Sequence, residues 1–249
     1  MINTMNPISI IIPALNEQDY LPVLFQSFID QDYKGEYELI VVDGGSSDET
    51  LEVVKKYQKL LPMLSVYRSK KGISRQRNYG AKKARFDDII FLDADMKMPK
   101  KALGKIEKHF QGKIDFMAVP ILFPYDWKFV DIILGIIGYF NFIMVRRKHP
   151  VIVGMCIITT KQAHERIGGF NEEAVVAEDV DYGLRAHKSG ADYHIFFNVL
   201  IRGSARRFNK TGRLKVAMTW TRWYKQVVET GAVTDSDQYD YEFGKFKKN

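Results

Sequence analysis

Apolar positions in the first hundred residues follow two alternating rhythms. Short runs rich in β-branched residues, Ile8 to Ile12, Glu38 to Val42, Met63 to Tyr67 and Asp88 to Leu92, read as buried strands. Between them, Tyr20 to Asp30, Asp48 to Leu60 and Ser74 to Ala84 space their apolar residues along one face of a helix. This alternation predicts a parallel sheet with helices on both faces. Ligands of such sheets bind beyond the carboxyl ends of the strands. Chemistry is therefore expected at Pro13 to Glu17, Asp43 to Asp48 and Asp93 to Asp95.

After residue 100 the pattern loosens, with further strands expected at Phe116 to Phe123, Val151 to Thr159 and Tyr193 to Val199. Phe129 to Val145 is apolar over seventeen residues, is closed by Arg146, Arg147 and Lys148, and contains Asp131 and Asn141. It falls short of the roughly 20 residues that cross a bilayer, and a charge inside it is costly there. Such a segment suits a buried or subunit-interface helix, or a helix lying in a membrane interface.

With 249 residues, 46% hydrophobic and 27% charged, the chain can bury one sizeable core, which excludes disorder and a small disulfide-stapled scaffold. No linker of Pro, Gly and Ser divides it, so a single domain over residues 1–249 is expected. Cys156 is the only cysteine and suits a reducing compartment. Met1 to Ser9 has no basic leader region, so no signal peptide is expected, and the expected location is cytoplasmic, with room for peripheral contact at the inner face of the membrane. Residues 201–249 hold 11 Lys/Arg against 5 Asp/Glu, which accounts for most of the net charge of +7. Between Arg202 and Lys225 eight basic side chains and no acidic one are interleaved with Phe208, Leu214, Met218, Trp220, Trp223 and Tyr224. That segment suits an anionic lipid surface, nucleic acid or a phosphorylated ligand.

Asp93-Ala94-Asp95 directly follows the apolar strand Ile89 to Leu92, which would hold two hard oxygen ligands at the mouth of the sheet. The same spacing recurs at Asp30/Asp32, Asp179/Asp181 and Asp235/Asp237, but only Asp93/Asp95 follows a buried strand. Asp43-Gly44-Gly45-Ser46-Ser47-Asp48 is a strand end, a glycine turn and a helix start with Ser47 or Asp48 as N-cap. Taken alone, it serves equally as an ordinary turn or as a ligand loop. Neither the glycine fingerprint of dinucleotide oxidoreductases nor that of P-loop enzymes is present. The five histidines show no zinc spacing with Cys156.

Read in order, Pro13 to Glu17, Asp43 to Asp48, Gly72 to Gly80, Asp93 to Asp95, Gly168-Gly169-Phe170 and Glu178-Asp179 resemble the motifs of the family 2 glycosyltransferases, over about residues 7 to 208. The resemblance implies a GT-A fold, a Rossmann-like, mostly parallel sheet flanked by helices. Residues 1–98 would form a nucleotide-sugar half, 99–203 an acceptor half, and 204–249 a basic amphipathic C-terminal region. Pro13, Ala14, Asn16 and Glu17 would line the nucleoside pocket with Asp43 on the base beside Gly44, and Arg77 would fix the nucleotide and the nearby carboxylates. Asp93, Ala94 and Asp95 would face the ribose and a diphosphate-bound Mg2+ or Mn2+, Asp93 and Asp95 as metal ligands. Asp179 would be the general base of an inverting transfer, with Arg206 and Arg207 closing over the diphosphate. A helix N-terminal carboxylate is the alternative for Asp179. For Gly168 to Asn171 a backbone lining the acceptor site stands beside a plain turn.

Expected partners are a UDP- or GDP-sugar and a glycan or lipid-linked hydroxyl acceptor, with room for peripheral membrane contact. Two alternatives are a polyprenyl-phosphate glycosyl synthase and a non-catalytic protein binding membrane or nucleic acid. The first is disfavoured by Lys97, where such synthases often carry glutamine, and by a base that an anionic phosphate acceptor does not need.

Overall fold

Strand β1 (Ile8–Ala14) is buried along its whole length. Ile10 and Ile12 face one core with Leu24, Phe25 and Phe28 of helix α1 (Leu21–Ile29), and Ile11 faces a second core on the opposite side. Burial on both faces is what a near-continuous apolar run in a parallel strand requires. Strands β2 (Tyr37–Asp43), β3 (Leu64–Arg68) and β4 (Asp88–Leu92) extend the parallel unit, β2 and β4 on either side of β1. Helix α2 (Thr50–Gln58) follows β2, and α3 (Ile73–Lys83) follows β3. Because the chain returns past β1 to lay down β4, the crevice between the ends of β1 and β4 is a topological switch point. The structure, a computed structural model, describes residues 6–110, 115–125 and 152–234. The apolar stretch Phe129 to Val145 lies outside the described residues.

The periodicity is met within two residues at each of these elements. β1 runs on through Pro13 and Ala14, which still pair with Val42 and Asp43. α2 starts at Thr50 rather than Asp48, whose Oδ1 accepts the Thr50 N–H (3.0 Å) from just outside the helix.

Among the described residues the second half completes an eight-stranded sheet of order β3-β2-β1-β4-β7-β6-β8-β5. Its elements are β5 (Met96–Lys97), α4 (Ala102–Phe110), β6 (Phe116–Pro124), β7 (Cys156–Thr160), α5 (Lys161–Arg166), α6 (Glu178–Lys188), β8 (Asp192–Gly203), α7 (Arg206–Thr211) and α8 (Arg213–Thr230). β7 is antiparallel to both β4 and β6, and β5 to β8, so the sheet is mixed. Of the strand expected over Val151 to Thr159, Val151 lies outside the described residues, and from Ile152 onward the strand begins only at Cys156. Ile152 is buried by packing against α6 at Gly183 instead of by strand pairing, which leaves Val153 to Met155 as a loop. Cys156 pairs opposite Leu92, and burial raises its thiol pKa far above the ordinary range.

Helix α8 lies against the start of α6. Val227, Trp223 and Tyr224 pack on Val176 and Val180, and the Val175 N–H donates to the Val233 carbonyl (2.8 Å). Among the described residues no helix is long and apolar enough to cross a membrane.

Candidate functional site

Three linked groups of side chains line the carboxyl edge of the sheet. At the end of β1 and β2, Asn16 adopts a left-handed backbone (φ 57°) and its Oδ1 accepts the Ser47 N–H (2.9 Å). The buried Asp43 carboxylate accepts the N–H groups of Gly45 (3.0 Å) and Ser46 (3.2 Å), so it shapes its own turn. Pro13 and Ala14 supply backbone: the Ala14 carbonyl accepts from Gly44 N–H (2.9 Å) and from Gln76 Nε2 (2.8 Å). Gln76 Nε2 also donates to the Val42 carbonyl (2.7 Å), clamping the two strand ends together. A Cβ on Gly44 would come within 2.9 Å of Gln76 Oε1, so glycine is what lets the turn close over that clamp.

The second group surrounds Arg77, which is only 1% exposed. Its guanidinium donates to Glu178 Oε1 (2.8 Å), to Asp93 Oδ1 (3.0 Å) and to the Gly154 carbonyl (2.8 Å), and it lies 5.1 Å over the Phe170 ring. Burial opposes its charge, but Asp93, Glu178 and Asp179 more than offset this. Asp179 joins through Gly154, whose N–H donates to Asp179 Oδ2 (2.7 Å), while Oδ1 accepts the Val180 N–H (2.9 Å). Desolvation, and then repulsion from Glu178, raise the Asp179 pKa to about 7 against the pull of Arg77. Each carboxylate oxygen keeps a lone pair for a substrate proton. Both acids start α6, aimed by Ala177 in a left-handed backbone (φ 53°) of the kind that persists where surrounding structure over-determines it. Asp181, the other acid of that turn, pairs instead with Arg185 (2.7 Å).

The third group is held by Arg206. Its two terminal nitrogens bind the Glu17 carboxylate in parallel (2.7 and 2.8 Å), and its Nε lies 2.9 Å from Asp95 Oδ2. The plane rests over the Tyr20 ring at 4.4 Å. The Ser204 N–H donates to the Asp95 carbonyl (3.1 Å), which brings α7 to the strand end. Burial raises the Glu17 pKa to about 7 even with Arg206 beside it. Arg207 is half-buried and close enough to lower the Asp93 pKa, although burial leaves that pKa raised overall. Ala94 turns inward to the core, so the two aspartates flanking it face the crevice together.

A family model, Glycosyl transferase family 2, matches residues 9–168. This chain is a family 2 glycosyltransferase by sequence. A poly(ribitol-phosphate) beta-N-acetylglucosaminyltransferase, TarS, of Staphylococcus aureus is 33% identical over 102 residues, 40% of this chain and 18% of the relative. A dolichol-phosphate mannosyltransferase of Pyrococcus furiosus is 37% identical over 101 residues, 40% of this chain and 28% of the relative. The matches thus span less than a third of these relatives' lengths. The fold is that of GT-A structures. A mannosyltransferase of Pyrobaculum calidifontis, solved with GDP-Man and Mn2+, superimposes with TM-score 0.72 at 19% identity, covering 91% of this chain and 65% of the other. For the crystal structure of TarS 1-349 the values are 0.65 and 21%, covering 85% and 64%.

Within this family 2 chain, the carboxylates fit a divalent cation in one particular way. Asp93 and Asp95 each spend one oxygen on an arginine and keep the other, and among the described residues no three His, Cys, Asp or Glu are placed to hold a metal ion by themselves. Two hard oxygens, with the rest supplied by diphosphate and water, is the mode in which Mg2+ is commonly held beside phosphates.

The sequence set Arg77 beside the carboxylates around it and gave Asp179 the role of base, but it left Gln76, Asn78 and Gly154 without roles and offered Phe170 only as turn backbone. Asn78 holds both the N–H (2.8 Å) and the carbonyl (2.9 Å) of Phe170, so this turn supports Arg77 from beneath and its backbone is already satisfied. Phe170 stacks on Tyr182 (4.0 Å), whose hydroxyl meets His164 Nδ1 (3.0 Å). The signal for Asn78 and Phe170 lay inside the quoted motifs. Gly154 carried none.

Proposed function

We propose that this chain transfers a sugar from a UDP- or GDP-sugar to a hydroxyl of a glycan or lipid-linked acceptor, with inversion at the anomeric carbon. The observation that carries this reading is the gathering of Asp93, Glu178 and Asp179 around one buried arginine at the topological switch point. Neighbours solved with UDP-GlcNAc and GDP-Man support a nucleotide-sugar donor. The nucleoside would lie along Asn16, Asp43 and Gly44, and the diphosphate beside Asp93, Asp95 and Arg207. Asp93 and Asp95 would hold Mg2+ or Mn2+, which when bound neutralises charge building on the leaving diphosphate.

Asp179 takes the proton of the acceptor hydroxyl as that oxygen attacks C1 of the sugar. The bond from C1 to the diphosphate oxygen breaks on the opposite face, and the nucleoside diphosphate leaves. A base with pKa near 7 is half-ionised at neutral pH, where proton transfer is most efficient. Arg77 keeps Asp93 and Glu178 in register, and Arg206 keeps Glu17 and Asp95.

Replacing Asp179→Asn should lower kcat about 10²- to 10⁴-fold, while the thermal shift produced by UDP or GDP with Mn2+ stays that of the parent. Unchanged transfer would remove Asp179 from the mechanism. A second acceptor class, polyprenyl phosphate, is favoured by the dolichol-phosphate relative and by α8, which exposes Leu214 and Met218 beside Lys215, Arg222 and Lys225 and so suits peripheral contact with an anionic membrane. Side-by-side assays with a polyprenyl phosphate and a neutral sugar acceptor separate the two.

A further inference from the structure

The tail is not the only basic stretch. Arg68 to Lys83 contains seven Lys or Arg and no acid. Arg77 is the buried hub, and the other six, Arg68, Lys70, Lys71, Arg75, Lys82 and Lys83, are all exposed. Three of these line a pocket of about 420 Å³ formed by Ser69, Lys70, Arg75, Tyr79, Lys82 and Glu172. Arg75, Tyr79 and Lys82 recur at helical spacing on the outward face of α3. Lys70 comes from the loop after β3, and Glu172 from the loop after Phe170.

The pocket is built of complementary parts. Lys83 lies 5.5 Å from both the Tyr67 and Tyr79 rings and braces the aromatic wall. Glu172 stands 3.6 Å from Arg75 and accepts from Asn78 Nδ2 (3.1 Å). Neither Lys70 nor Lys82 pairs with a carboxylate among the described residues. Three cations and one carboxylate, which only Arg75 approaches, leave a surplus of positive charge that phosphate oxygens would satisfy. Glu172, Ser69 and the Tyr79 hydroxyl suit the hydroxyls of a sugar or polyol. A nucleic-acid strand is recognised through several stacking rings in a groove, and this pocket offers one. Its size suits a single phosphorylated sugar or alditol residue.

We propose that this pocket is an acceptor subsite, which holds a phosphate group of a phosphate-bearing glycan or polyol chain on α3 while the chain's hydroxyl end reaches Asp179. This rests on the glycosyltransferase reading above. Asn78 connects the two places, since its amide binds Glu172 on one side and the Phe170 turn under Arg77 on the other.

The test is binding of a fluorescently labelled glycerol phosphate hexamer to the full chain by anisotropy, with a neutral hexasaccharide, inorganic phosphate and an oligonucleotide of equal charge as competitors. The parent should bind the hexamer, and Lys70→Glu/Lys82→Glu should weaken binding at least about tenfold. Lys70→Gln/Lys82→Gln should give a smaller loss in the same direction, and both variants should keep the parent's UDP or GDP thermal shift. Absent binding by the parent, equal binding by the variants, or an oligonucleotide or free phosphate competing as well as the unlabelled hexamer would each overturn the subsite. Hexamer binding that depends on these lysines in a chain that no nucleotide stabilises would instead overturn the transfer reading, and with it the acceptor role, while leaving a phosphate-binding site on α3.

Discussion

At the scale of single residues, the chemistry depends on carboxylates that burial holds close to neutrality. With the Asp179 pKa at about 7, kcat/KM should rise about tenfold per pH unit below that value and level above it. A pH profile flat from 5 to 8 would contradict the assignment. The same shift governs stability. The folded carboxyl binds its proton more tightly than the unfolded one does, so its contribution to folding is complete below the ordinary value of 3.8 and is lost as pH rises through about 7. Asparagine cannot ionise, so the difference in Tm between Asp179→Asn and the parent should move in the variant's favour from pH 5 to pH 8, as read by scanning calorimetry. Asp93 and Asp95 were legible in the sequence because an apolar strand delivers them directly. Glu17 was legible as a residue of the site but not in its partner, since Arg206 lies 189 positions away. Pairing at that distance leaves no local pattern.

Elements explain why one unremarked glycine matters. The loop before β7 carries Gly154, whose carbonyl and N–H serve Arg77 and Asp179 at once. A Cβ there would stand 3.0 Å from Asp179 Oδ2 and 3.3 Å from Arg77. Gly154→Ala should therefore displace the base and lower kcat at least about tenfold with the donor KM little changed, and cost about 1–3 kcal/mol of stability in urea unfolding. Parallel strands β1, β2 and β4 could be read from their runs because both faces are buried, whereas β3, at the edge of the sheet, is buried only at Leu64. β7 could not be delimited: Ile152 and Val153 continue the apolar pattern into a loop, and burial against α6 resembles strand burial in a one-dimensional pattern. Its reversed direction lies in the pairing alone.

For the molecule as a whole, the C-terminal region braces the start of α6, where Glu178 and Asp179 sit. Val227 and Val233 close a small cluster over Val176 and Val180, one turn from Asp179. Val227→Ala should cost about 1–3 kcal/mol, and kcat should fall severalfold while the nucleotide thermal shift persists. A variant with parental turnover would show that the brace is dispensable. The tail's charge was plain in the sequence. Its contact with the start of α6 was not, because valines spread over residues 176–233 meet only after the sheet is complete.

The placement of Cys156 supplies a built-in reporter. It is the chain's only thiol, lodged in a strand bonded on both sides by β4 and β6. A maleimide dye can attach only after those strands separate, so its rate of attachment in native buffer reads out global opening without any engineered label. Saturating donor with Mn2+ should slow that attachment in proportion to affinity, and this turns one inert side chain into a gauge for ranking candidate sugar nucleotides.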